Sequence, residues 1–401
     1  MKLHELLHGS SAFYKQADYV ESTKKAFYMN QAPLPSHVIE TGNKSWRIAK
    51  QALYTLGCTF LLYASMHQLG SYFTAFQNLE LPKASSFPLA AQALLFPFTF
   101  PKLIHNLVGL VTVPGSIASF FAGTLFRREI DIQGLDSQGI RIKRFSIEFD
   151  GYTIDAMMFG RPEKLENERW TLISGGNGEF YEVLKFDFIQ QDLINFLDHL
   201  DSNAILFNYP GVGASSGFPD QDIMVKAYVA LLEVLEDDIQ AKTIFGYGHS
   251  IGAGVQAEAL SQHEFKDNIR YLFMKSRTFA DFAETVGDVL FSPLDFLIRF
   301  VRWNFETLKS SAELKYPELI FQTVKSHFYQ DLSKYINDII SDPLISPPVS
   351  LAYQLLSQSS YWKYKFFMGI PEKHNDGFPK NTTAIAEKVE EMLKAFYPVK
   401  A

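Results

Sequence analysis

A serine set between glycines, Gly248-His249-Ser250-Ile251-Gly252, follows the apolar run Thr243 to Tyr247 and precedes the helical stretch Val255 to Leu260. A hydroxyl raised on such a strand-to-helix turn can act as a nucleophile, because flanking glycines permit a turn and a close strand–helix approach that side chains would block. The backbone N–H of Ile251 opens the helix, where it points toward a developing oxyanion. The chemistry implied is attack on an acyl carbonyl through a covalent intermediate. Without its strand and helix the pattern would be only a glycine-rich turn.

Acyl transfer of this kind needs a second oxyanion donor from the loop after an earlier strand. Ser174-Gly175-Gly176-Asn177-Gly178 follows the apolar run Trp170 to Ile173, and its small residues let the N–H groups of Asn177 and Gly178 approach a substrate. The plain alternative is an ordinary turn between strand and helix. A third block, Asn208-Tyr209-Pro210-Gly211-Val212-Gly213-Ala214-Ser215-Ser216-Gly217, lies between these two. In this order the blocks resemble α/β-hydrolases of the lipase and esterase kind, whose corresponding loop reads D-Y-R-G-x-G-x-S-x-G. In detail the chain is similar to the chlamydial 43-kDa protein family and related Legionella secreted effectors, and Ser276 to Phe282 and Ser341 to Ile345 add to that likeness. It covers the chain from Phe145 to Phe396. It implies an α/β-hydrolase fold, an esterase, lipase or thioesterase acting on an acyl ester or lipid without a cofactor, and a bacterial protein secreted into a host cell; membrane association is expected separately, from the apolar stretches before Phe126.

The implied fold orders the remaining groups as serine, acid, histidine. The imidazole must accept the serine proton and the acid must hold its tautomer. Of the two histidines well downstream, His327 follows the apolar run Glu318 to Phe321 too closely. His374 lies in the polar loop Glu372-Lys373-His374-Asn375-Asp376-Gly377 after the last expected strand, and is the candidate base. Asp331, Asp338 and Asp342 all fall in the right interval for the acid. Asp342 is preferred, because Asp342-Pro343-Leu344-Ile345 with Ser350-Leu351-Ala352 is similar to the family's stretch after the acid-bearing strand. His249 adjoins the nucleophile but diverges from it, and reads as a packing or oxyanion-loop residue. Asp281, Glu284 and Asp288 have helical spacing and read as a solvated helix face rather than a metal site.

The elements that must position these groups are legible from periodicity. Phe145 to Phe149 and Thr153 to Phe159 flank Asp150-Gly151 as a hairpin. Short apolar runs follow at Trp170 to Ile173, Ala204 to Phe207, Thr243 to Tyr247, Ile269 to Met274, Glu318 to Phe321 and Tyr361 to Met368. Helical patterns alternate with them, including Met224 to Leu235 and a closing amphipathic helix, Thr382 to Phe396. This alternation predicts an α/β fold, a mostly parallel sheet covered on both faces. An apolar insertion, Val289 to Ile298, is expected either to form a lid within 280–314 or to pack on the N-terminal helices.

The chain divides by composition into an apolar helical N-terminal region, 1–128, and a hydrolase-like domain, 129–401. Two stretches in the first region, Gln51 to Phe76 and Leu103 to Phe126, are long enough to cross a bilayer, which takes about 20 residues. The first carries Gln51, His67 and Gln68, and the second is broken at Pro114-Gly115. Three readings stand: a helical cap, an interfacial anchor or true spans. A non-catalytic membrane-associated interaction protein on a hydrolase scaffold is therefore the rival to an enzyme. With 401 residues, a formal charge of −7 and scattered basic residues, the chain lacks the positive face that nucleic acid requires. Its single cysteine, Cys58, allows neither an intramolecular disulfide nor a thiolate zinc site. The polar start, Met1 to Asn30, does not read as a cleavable signal peptide.

Overall fold

The computed structural model describes residues 104–122, 138–181 and 187–398, apart from 214, 291, 326 and 359–363. The first apolar stretch, Gln51 to Phe76, lies outside them. β1 (Arg141–Phe149) and β2 (Tyr152–Gly160) form an antiparallel hairpin. Asp150 and Gly151 both adopt left-handed backbone at the turn, φ 49° and 77°, the geometry that matches hairpin twist. β3 (Arg169–Ser174), β4 (Asn203–Phe207), β5 (Thr243–His249), β6 (Arg270–Ser276), β7 (Glu318–Thr323) and β8 (Lys365–Ile370) complete one eight-stranded sheet. Its order is β1-β2-β4-β3-β5-β6-β7-β8, with β2 antiparallel to both neighbours and every later pairing parallel. With helices on both faces and a nucleophile turn after β5, this is an α/β-hydrolase fold.

Strand residues alternate between two cores. Trp170, Leu172, Ile244, Tyr271 and Phe273 face one side, and Ile173, Phe245, Tyr247, Leu272 and Met274 the other. The first core is closed by Met224, Tyr228 and Leu231 of α3 (Gln221–Glu233) and by Val255 and Ala259 of α4 (Ile251–Gln262). The second is closed by Leu193 and Leu197 of α2 (Asp187–His199) and by Ile385, Val389 and Met392 of α9 (Thr382–Phe396). Burial on both faces explains why the central strands read as continuous apolar runs.

The second apolar stretch breaks where the sequence suggested. Residues 104–112 are helical, and α1 (Gly115–Ala122) starts after Pro114, whose carbonyl accepts the N–H groups of Ile117 and Ala118 at 3.0 and 2.8 Å. Segment 104–112 packs on the main domain. His105 Nδ1 donates to Val301 O at 2.7 Å while Nε2 meets Asp220 at 3.1 Å, and a Cβ on Gly109 would lie 2.6 Å from Pro219 O. Among the described residues no helix is long and apolar enough to cross a membrane.

The insertion forms three short helices, α5 (Phe282–Val289), α6 (Pro293–Phe300) and α7 (Thr307–Glu313). Asp281 caps α5 by accepting Glu284 N–H at 3.0 Å and also binds Arg299 and Asn304, while Asp288 accepts Ser346 Oγ–H. Asp281 and Asp288 are thus engaged in a cap and a loop contact, while the Glu284 carboxylate lies 3.8 Å from Arg299. α8 (Leu351–Ser357) covers the outer part of the sheet through Leu351 and Leu355, packed against Ile320 and Phe367.

The last strand runs Lys365–Ile370, four residues later at its start than the apolar pattern suggested; 361–363 lie outside the described residues. Its register with β7 pairs Glu318 with Lys365 and Thr323 with Ile370. The charges account for this polar start. Glu318, fully buried, receives Lys365 Nζ at 2.8 Å and Ser311 Oγ–H at 2.5 Å, and also pairs with the buried Lys275. Burial, reinforced by Lys365, holds the Lys275 ammonium well below the usual lysine range. Removing the one carboxylate leaves two buried lysine amino groups without their shared partner. Glu318→Leu is therefore expected to lower unfolding free energy by about 3–5 kcal/mol in urea titration. A change below 1 kcal/mol would show that Lys275 and Lys365 find other partners.

Candidate active site

β5 delivers Ser250 and α4 carries the chain away. Ser250 sits at φ 53° and ψ −121°, a left-handed conformation that non-glycine residues adopt only when the surroundings impose it. Its backbone is held by the segment that ends β6, with its N–H donating to Ser276 O at 3.0 Å and Thr278 Oγ1 donating to its carbonyl at 2.8 Å. A Cβ on Gly248 would lie 2.6 Å from Ala253 Cα, and one on Gly252 only 2.2 Å from Ser174 O. The glycines therefore allow α4 to approach both its own strand and the end of β3.

The structure brings Ser250, His374 and Asp342 into one line. Ser250 Oγ is 2.9 Å from His374 Nε2, and His374 Nδ1 is 3.0 Å from Asp342 Oδ2. With Nδ1–H donated to the carboxylate, Nε2 is left to accept the hydroxyl proton. The other carboxylate oxygen of Asp342 accepts the N–H groups of Leu344 at 3.0 Å and Ile345 at 2.8 Å, which orient the carboxylate. All three side chains are buried. The other acids lie in other roles: Asp338 accepts Tyr329 Oη–H at 2.6 Å, and Asp331 accepts the N–H of Ser333 in a single helical turn. The ring of His327 lies tilted against that of Tyr329, with ring centres 4.4 Å apart.

Ile251 is the first residue of α4, directly after Ser250, while Asn177 and Gly178 line the cavity beside Ser250. Two carbonyls of the loop are engaged elsewhere. Gly176 O accepts Glu179 N–H and Asn177 O accepts Gly115 N–H, each at 3.1 Å. The hydroxyl of Tyr209 donates to Gly175 O at 2.7 Å. The block from Asn208 to Gly217 thus braces the oxyanion loop. It also finishes β2, since Ser215 and Ser216 hydroxyls accept the N–H groups of Asp155 at 2.9 Å and Thr153 at 2.7 Å.

His249 packs between the oxyanion loop and the base: a Cβ on Gly176 would lie 3.2 Å from its ring, and its ring centre is 5.0 Å from that of His374. Burial, then the positive charge of Arg277, holds its pKa well below the usual imidazole range, so it stays neutral. Sequence reasoning passed over Tyr209, Glu179 and Arg277. Glu179 folds back so that its carboxylate accepts Gly176 N–H at 2.6 Å, and burial raises its pKa against that bond and the charge of Arg277.

The cavity beside Ser250 measures about 820 Å³. Tyr181, Tyr209, Tyr247 and Phe378 supply aromatic wall, and Asp192, Asn375, Asp376 and Lys380 supply polar groups. Among the described residues none from 280–314 lines it; there α7 packs against α4, and Val301 and Trp303 meet segment 104–112. Among the described residues no group of three His, Cys, Asp or Glu side chains could hold a metal ion.

The contact of Gly115 with the oxyanion loop makes α1 part of the site's support. A Cβ on Gly115 would lie 3.3 Å from Asn177 O and from the Gly178 carbonyl. Gly115→Val should displace that loop and lower kcat for a p-nitrophenyl ester roughly tenfold, since misplacement by a fraction of an ångström suffices. Unchanged kcat would show that the loop does not lean on α1.

Solved structures similar to this chain include the Pyrococcus furiosus esterase Pf2001, at 14% identity and TM-score 0.45, covering 65% of this chain and 92% of that one. An alpha-beta hydrolase from Vibrio vulnificus is similar at 13% identity and TM-score 0.48, covering 66% and 87%. Est1E from Butyrivibrio proteoclasticus, solved with ferulic acid, is similar at 15% identity and TM-score 0.42, covering 63% and 98%. No curated protein matches the chain. A family model matches residues 117–394, from α1 to the closing helix, and the chain belongs to that family, described as Chlamydia CHLPS protein (DUF818).

Proposed function

We propose that this protein is a serine hydrolase of acyl esters, with Ser250 as nucleophile, His374 as general base and acid, and Asp342 as the acid that orients His374. The observation that carries the reading is the hydrogen-bonded line from Ser250 Oγ through both ring nitrogens of His374 to Asp342, at 2.9 and 3.0 Å. As Oγ attacks the acyl carbon, its proton passes to Nε2 and the carbonyl electrons move to the oxygen. The N–H groups of Ile251, Asn177 and Gly178 are the candidate donors to that oxyanion. Collapse breaks the ester bond, and Nε2 gives its proton to the leaving alkoxide. Water then attacks the acyl-enzyme, His374 takes the water's proton, and Ser250 leaves as a hydroxyl with the acid released. Asp342 stays ionised throughout and stabilises the imidazolium.

The aromatic wall and the size of the cavity favour an acyl chain as the group bound there. A fluorophosphonate probe tests the reading. Wild type is expected to label covalently, Ser250→Ala not at all, and Asp342→Asn at least about a thousandfold more slowly, as expected when the wrong tautomer is held. Equal labelling of wild type and Ser250→Ala would refute it.

A membrane surface is the second element of the proposal. Leu107 and Val111 on segment 104–112 are exposed, as are Leu290, Phe296 and Phe300 in the insertion that meets it at Val301. The rings of Phe296 and Phe300 stack in solvent, 6.1 Å apart. The full chain is expected to float with anionic lipid vesicles, and Phe296→Asp with Phe300→Asp to reduce the floated fraction severalfold. Flotation unchanged by the pair would place the lipid contact elsewhere or remove it.

A further inference from the structure

Arg277 is a large charged residue buried where charge is costly. It directly follows β6, is fully buried, and adopts left-handed backbone at φ 48°, a conformation an arginine does not choose. Its N–H donates to Phe321 O at 2.9 Å, which fixes it beside the end of β7. Its guanidinium reaches across to the loop that bears His374. Nη1 donates to Lys373 O, Nη2 donates to Gly377 O, and Nε donates to Ser276 Oγ at 3.1 Å.

Lys373 and Gly377 bracket the segment that carries His374. Within the loop, Asp376 N–H donates to Lys373 O at 3.1 Å and Lys373 N–H donates to Asp376 Oδ2 at 2.7 Å. Those bonds close a turn but do not tie it to the sheet. Two carbonyls held by one planar fork do so, because the fork fixes both their spacing and their direction. A lysine, with a single point of charge, lacks that geometry. The opposite charge lies on the other side of the site: Arg277 attracts the Glu179 carboxylate, which is itself bonded to Gly176 of the oxyanion loop. The left-handed backbone aims the side chain, and the guanidinium spans the gap between the end of β6 and the base.

We infer that Arg277 is a positioning residue, whose guanidinium holds the loop 373–377 so that His374 Nε2 meets Ser250 Oγ. The inference rests on the reading of Ser250, His374 and Asp342 as a working triad. Arg277 touches no reacting atom. It acts through the two carbonyls, and its worth lies in the orientation of the imidazole.

The test is chemical rescue in the full chain, read as the rate constant of fluorophosphonate labelling at Ser250. Arg277→Gly suits the left-handed backbone and leaves a guanidinium-sized space. Labelling should slow by about a hundredfold relative to wild type, as for other losses of orientation. Added ethylguanidinium at millimolar concentration should restore at least tenfold of this, with far-ultraviolet circular dichroism unchanged. Methylammonium at the same concentration should restore nothing. Arg277→Lys keeps the charge and most of the stem, and should label as slowly as Arg277→Gly while remaining folded; it carries the test if Arg277→Gly does not fold. Labelling of Arg277→Lys within twofold of wild type overturns the inference, as does a folded Arg277→Gly that ethylguanidinium leaves unchanged. Failure of the triad reading looks different: wild type then labels no better than Ser250→Ala.

Discussion

The first turn of α4 comes so close to the end of β3 that a single methyl group at position 252 would lie 2.2 Å from the Ser174 carbonyl. Most of the site follows from that approach. It forces the chain to leave β5 through a left-handed residue, and that residue is Ser250. It sets the N-terminus of α4 beside the loop after β3, so N–H groups from two distant segments border one space. Ser174 takes part as well, its hydroxyl donating to Gly252 O at 2.9 Å. Strain at Ser250 persists because the end of β6 and the residues just after it hold its backbone, through Ser276 O and Thr278 Oγ1.

Around this apolar framework the polar groups are arranged as braces. Tyr209 and Gly115 take the carbonyls of the oxyanion loop, and Asp342 is held by two backbone N–H groups. Arg277 donates to two carbonyls of the loop that carries His374. A buried polar group is stable only when its partners are satisfied, so each brace also specifies one loop conformation. The same logic operates at the far side of the sheet, where Glu318 joins Lys275 and Lys365 and fixes the register of β7 with β8.

The acid shows how far local pattern reaches. Three aspartates, Asp331, Asp338 and Asp342, follow β7. The residues between β7 and Asp342 fold back on the sheet edge: Tyr329 exchanges backbone hydrogen bonds with Gly369 at 2.8 and 2.9 Å, and Val324 bridges Ile339. The excursion therefore returns to its starting point and leaves Asp342 under His374. Chain order admitted all three candidates and the family likeness preferred Asp342; only the folded path separated them in space. The boundary of the last strand shifted for a related reason, since Lys365 looks like a poor strand opener until Glu318 is placed opposite it.

By itself the sequence determined the strands, the sheet's parallel character, the nucleophile turn and the histidine that follows the last strand. Those features are written in short-range periodicity and in glycines whose need is local. Tertiary structure alone decided which aspartate meets His374, that the block from Asn208 to Gly217 braces the oxyanion loop, and that Arg277 reaches the base loop. It also decided that the helices of the insertion turn away from the cavity while α1 leans on Asn177. These are contacts between residues far apart along the chain, such as Arg277 with Gly377 or Gly115 with Asn177, and no window of sequence contains both partners.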